Sequence, residues 1–173
     1  MSATATAGTT ALLSLLSQLR DTLTLMPAPV YRARPAARVC GSIGEHVRHC
    51  LDHVATLVAA PGRDELSYDH RSRGTTLEID PQTAVTEIER LSHQLSLIHP
   101  VVFGRTVRIA SMVDAYGGAV HARSTLAREL AFVIQHTVHH CASIALLLEW
   151  QGCSTAANFG VAASTLHARR RAS

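Results

Sequence analysis

Two histidines four residues apart carry the clearest chemical signal in this sequence: His136 and His140, within Gln135-His136-Thr137-Val138-His139-His140. In a helix, positions i and i+4 leave one face about one turn apart. Two neutral imidazoles placed this way can offer lone pairs to one divalent metal ion. The surrounding stretch, Glu129 to Leu148, reads as a helix long enough to cross a small domain. His139 leaves that helix about 60° from His136 on the other side. It suits a place behind the ligands, or against a substrate, better than a place in the pair. The H-x-x-x-H spacing alone is weak, because core and surface histidines also produce it.

A second cluster strengthens it. His46, His49, Cys50, His53 and Leu57 fall within roughly 100° of arc on a helical wheel, while Arg48 and Asp52 fall elsewhere on it. Three histidines on a stripe shared with Ile43 and Leu57 predict a face turned inward. His46, His49 and His53 are all open as the source of a third ligand. Eleven histidines in 173 residues is itself high. Three imidazole ligands leave a coordination position open, which is the pattern of catalytic rather than structural zinc. No H-E-x-x-H motif is present, which argues against a zincin protease.

Four helices must position these groups. Leu12, Leu15, Leu16, Leu19, Leu23 and Met26 recur at helical spacing and predict a helix from Thr9 to about Met26, stopped by Pro27 and Pro29. Ser42 with Glu45 reads as a capping box opening a helix to about Ala60. Pro81 opens a third helix to about Ile98, striped by Ala84, Ile88, Leu91, Leu95 and Ile98. Ser124 caps the fourth, which ends near Trp150. The segment Pro27 to Gly41 reads as an ordered loop packing Val30 and Tyr31. The polar run Asp64 to Asp80 reads as a loop over one end of the helices; within it Tyr68, Arg71 and Arg73 are candidate contacts for an anionic substrate, or members of a solvated loop with local ion pairs. Pro100 to Arg123 is the least helical part, with β-branched runs and a turn signal at Tyr116-Gly117-Gly118, and predicts a hairpin or an extended lid. The tail Asn158 to Leu166 is expected to pack back on the helices. The fold expected is all-α: one domain over 1–173, a four-helix bundle with a long hairpin-bearing connection between its third and fourth helices, and disordered ends over 1–8 and 167–173.

Composition limits the partners. With 47% hydrophobic and 17% charged residues the chain is of globular type, and a net charge of +3 demands neither nucleic acid nor membrane. No basic n-region with a cleavage site opens the chain, and no uninterrupted apolar run approaches the ~20 residues that span a bilayer. Cys40, Cys50, Cys141 and Cys153 form no C-x-x-C pair; buried free thiols in a reducing cytoplasm are expected.

The stretches Ser42-Ile43-Gly44-Glu45-His46-Val47-Arg48-His49 and Arg128-Glu129-Leu130-Ala131-Phe132-Val133-Ile134-Gln135-His136-Thr137-Val138-His139-His140 resemble the DinB-like superfamily. These are metal-binding four-helix bundles that include thiol-dependent transferases and isomerases. The order and spacing of the helices extend the likeness over residues 9–150, and Phe159 to Leu166 resembles tails of one uncharacterised branch. The resemblance implies a ligand seven residues after the Ser of a Ser-Ile helix start, which is His49, and a pair at His136 and His140. It implies zinc or nickel and often a low-molecular-weight thiol. The family's usual Arg-Gly-Gln after the last ligand is Cys141-Ala142-Ser143 here, and His46 and His53 are further departures, so either can replace or join His49. The function expected is a cytoplasmic, homodimeric, metal-dependent transferase or isomerase that activates a thiol or water for a small-molecule substrate. His139, His46 or His53 would move a proton, and Tyr68, Arg71 and Arg73 would hold substrate. The alternative is a non-catalytic metal- or small-ligand-binding protein of stress or regulation.

Overall fold

Apolar residues three and four apart make the long helices, and the helices bury those residues against one another. The computed structural model describes residues 2–36, 41–69 and 73–172; Cys40 and Arg71 lie outside them. Among the described residues the chain is mostly helical, with six α-helices and one small three-stranded sheet. The helices are α1 (Ser2–Leu23), α2 (Ala28–Arg32), α3 (Ile43–Ala59), α4 (Pro81–Ser96), α5 (Leu126–Trp150) and α6 (Ala163–Ala172). The four long ones close a ring of contacts: α1 packs on α4 and α5, and α3 packs on the same two. Leu12, Leu16 and Leu19 of α1, Val47 and Val54 of α3, Leu91 and Leu95 of α4 and Val133 and Ile144 of α5 fill the middle and are fully buried.

The helix starts follow local hydrogen-bonding chemistry. Ser42 Oγ accepts from the Glu45 amide at 3.2 Å while the Ser42 amide donates to Glu45 Oε2 at 2.8 Å, a complete capping box for α3. Asp80 caps α4 by accepting from the amides of Gln82 and Thr83, with Pro81 in the first turn. The cap of α5 is Thr125, one residue later than the spacing suggested: its Oγ1 accepts from the Arg128 amide at 3.3 Å. Strand pairing accounts for the shift, since Thr125 still lies opposite Thr106 in extended conformation. Ser124 Oγ is left to donate to Glu129 Oε1 at 2.5 Å.

A small sheet in the connections makes the all-α expectation hold only roughly. The hairpin expected before the last long helix is there, formed by β2 (Thr106–Met112) and β3 (Ala119–Thr125) between α4 and α5, and its turn is closed by Asp114 Oδ1 accepting from the amides of Tyr116 and Gly118. A two-residue strand, β1 (Glu65–Leu66), adds in parallel to β2, pairing Glu65 with Arg108 and Leu66 with Ile109. Glu65 also forms an ion pair with Arg108 and lies 3.3 Å from His121 Nδ1, contacts that fasten the 63–69 segment to the hairpin. The loop expected after Pro27 contains α2, and the ends expected to be disordered are helical: α1 begins at Ser2, and α6 carries Arg169, Arg170 and Arg171.

Arg48 lies off the histidine stripe of α3, yet it is only 6% exposed. Its guanidinium pairs with Asp52 at 2.5 Å and with Glu78 at 2.6 Å, so a buried charge is neutralised from two sides. Gly44 permits this: a Cβ there would collide with the Glu78 carbonyl oxygen and with Tyr31. Among the described residues α5 is the one helix long and apolar enough, by length and composition, to cross a membrane. Here its apolar stripe packs against α1 and α3.

Candidate metal centre

The site forms where α3 crosses α5. Helical spacing turns His49 and His53 of α3 toward α5, and His136 and His140 of α5 toward α3. One nitrogen from each of His49, His136 and His140 lies within 4.8 Å of the other two. The tightest approach is His49 Nε2 to His136 Nε2, 3.2 Å. Two imidazole nitrogens on one tetrahedral ion, at about 2.0–2.1 Å each, stand about 3.3 Å apart. The rings meet nearly edge-on, at 84° for His49 and His136 and 87° for His49 and His140. This lets lone pairs from different helices converge without the rings colliding. Three nitrogen donors from two helices fit a divalent ion.

The other three helical histidines surround this group in different ways. His46 Nδ1 faces His140 Nδ1 at 2.8 Å. His53 is 4% exposed, and its Nδ1 bonds the His49 carbonyl at 3.0 Å. Its ring lies flat on His136, with centroids 3.9 Å apart, and flat on Tyr68 on the other side at 5.0 Å. His139 is exposed, with its ring 5.2 Å from that of His140. Burial holds the His140 pKa down at about 3, with His136, His46, His139 and His53 adding to the effect. Burial lowers His46 as well, opposed by Glu45. Both imidazoles are therefore neutral at pH 7, the form in which a nitrogen can bind a metal.

The candidate substrate residues separate. Arg73 is exposed. Tyr68 belongs to the buried wall instead: it stacks on His53 and tilts against Phe132, and its hydroxyl lies out of solvent. Burial, and then the Glu129 carboxylate beside it, push the Tyr68 phenol well above its ordinary pKa. Glu129 is 1% exposed and accepts from Ser124 and from Arg128 Nη1 at 3.1 Å. Phe132, with Arg128 over its ring, completes this wall and touches His136. Sequence reasoning did not single out Phe132. The i, i+4 step from Phe132 to His136 was the available signal.

Two further features bear on the site. Cys50 and Cys141, each adjacent to a histidine of the group, are buried free thiols, and burial pushes Cys141 up to about 12 and holds Cys50 well above the ordinary thiol value. They are not poised as thiolates. The tail returns to α5 just past the ligands. Phe159 is buried, and Gly160, at φ +73°, approaches so closely that a Cβ would strike the backbone of Ala142. A cavity of about 1050 Å³ is lined by Gly8, Phe103, Leu130 and Ile134 among others, on a different face of α5 from the histidine group. Comparison of the chain with protein-family models, curated proteins and solved structures returns no match.

Proposed function

We propose that the chain binds one divalent metal ion, zinc or nickel, through His49, His136 and His140 and is a metal-dependent enzyme of DinB-like type. The observation that carries this reading is the convergence of three imidazole nitrogens from two facing helices within 4.8 Å. The ring of contacts among α1, α3, α4 and α5 supports reading the architecture as a DinB-like four-helix bundle. A divalent ion held by three neutral ligands lowers the pKa of a thiol or water in its open position. The expected reaction is therefore a transfer or isomerisation on a small molecule, with a low-molecular-weight thiol or water as nucleophile.

The protein's own groups divide the remaining work. His53, clamped between Tyr68 and His136, fixes the plane of the His136 ring and excludes water from that side. His139, on the exposed side of His140, is the group placed to exchange a proton with solvent or substrate. A cytoplasmic homodimer completes the reading.

Elemental analysis tests it. Wild type should carry close to one equivalent of metal after dialysis against zinc or nickel, and His49→Ala, His136→Ala and His140→Ala should each lose it, while His93→Ala, on the exposed side of α4, keeps it. A wild-type protein that purifies without metal and takes up none rejects the reading. Loss of free thiol when the loaded protein meets an electrophilic substrate then separates an enzyme from a metal-binding protein without catalysis.

A further inference from the structure

His46 and His140 face each other through the same ring atom, and that geometry assigns more than proximity. An imidazole nitrogen has either one hydrogen or one in-plane lone pair. Two nitrogens 2.8 Å apart are closer than the ~3.3 Å that separates two imidazole ligands of one tetrahedral ion, so they form one N–H···N bond, with one donor and one acceptor. Whichever part His140 Nδ1 plays, that nitrogen has nothing left for a metal. Only Nε2 of His140 remains as a ligand, and a ligating nitrogen has no proton. The single proton of neutral His140 must then sit on Nδ1, so Nδ1 donates and His46 Nδ1 accepts. Neutral His46 in turn has its proton on Nε2.

From this pairing we infer that His46 is a positioning residue for the metal: it accepts the Nδ1–H of His140, fixes that ring's tautomer and rotation, and aims His140 Nε2 at His49 and His136. It is not a fourth ligand. The inference rests on the metal reading above. Two observations carry it beyond the 2.8 Å contact. The group of mutually close nitrogens consists of His49, His136 and His140, without His46. The two rings are tilted by 47° with centroids 5.1 Å apart, which suits an in-plane hydrogen bond and not a face-to-face stack. Ligating histidines regularly give their second N–H to a carboxylate, a carbonyl or water, and loss of such a partner weakens metal binding by 10–100-fold. Here the acceptor is another imidazole, supplied by the first turn of α3, so the helix that provides the ligand His49 also orients the ligand His140.

The test compares His46→Leu, which removes the acceptor, with His46→Asn, whose side-chain oxygen falls near the position of Nδ1. Zinc and nickel affinities are measured by chelator competition, and ¹⁵N NMR of the zinc-loaded protein shows which nitrogen of His140 is protonated. We expect His46→Leu to lose about 10–100-fold in affinity, His46→Asn to recover most of it, and His140 to show a protonated Nδ1 and a metal-bound Nε2. Wild-type affinity in His46→Leu overturns the assignment. So does a metal-bound Nδ1 on His140. If both variants lose metal equally, and the cobalt-substituted protein changes coordination number in each, His46 is a ligand and the assignment is again overturned. A wild type that takes up no metal removes the metal reading itself, and the inference with it; metal binding that is indifferent to residue 46 removes the inference alone.

Discussion

His140 is 9% exposed and surrounded by other imidazoles, and that environment makes the metal-free protein sensitive to acid. An unfolded histidine titrates near 6.5, whereas folded His140 is held at about 3. Between those values the unfolded chain binds a proton that the folded chain refuses, so stability falls as pH drops from about 6.5 toward 3 and is unaffected above that window. His46 is lowered too and acts in the same direction. The urea midpoint of metal-free protein should therefore be lower at about pH 5 than at about pH 7.5, and the difference should shrink in His140→Gln. Equal midpoints at the two pH values would contradict the burial of these rings. At this scale the sequence was partly legible. The spacing of His136 and His140 follows from the helical period alone, and so does the inward turn of His53. Helical spacing did not choose among His46, His49 and His53, because all three share one arc; the family resemblance pointed to His49, the one that lies close to His136 and His140. What separates them is the height at which α5 crosses α3, a tertiary quantity.

Elements are held in place by a few buried polar ties, and the strongest runs through Arg48. It joins α3 to the 3₁₀ turn Thr76–Glu78 just before α4, with Gly44 providing the close approach of that turn. Arg48→Met should leave the buried carboxylate of Glu78 and its neighbour Asp52 without a partner and lower unfolding stability by about 3–5 kcal/mol, read from urea denaturation. Glu78→Gln combined with Arg48→Met should recover part of the loss, since it removes one stranded charge. The burial of Arg48 was not legible, because a charge buried by its partners looks the same in sequence as one in water. The long helices were legible for the opposite reason: caps and apolar stripes are local. β1 was not, because two residues carry no periodicity, and they become a strand only where β2 passes beside them.

For the whole molecule, a metal bound at the proposed site would be a cross-link between segments far apart in the chain. A ligand that binds only the folded form stabilises it by mass action: at about a hundredfold excess over Kd the gain is about 2.7 kcal/mol, or an increase of about 5–10 °C in Tm for a chain of this size. Thermal melts with zinc or nickel and after chelation measure it directly, and the increase should vanish in His49→Ala. His49 and His136 are 87 residues apart in sequence, and His46 and His140 are 94 apart. Contacts of that separation wait for the intervening chain to be ordered. The centre is therefore absent from early folding species, and half of it, the pair on α5, is all that a nascent helix can offer. In a refolding experiment with cobalt present, the colour of the three-nitrogen centre should rise in step with the last phase of native packing, which makes metal uptake a clock for the completed fold.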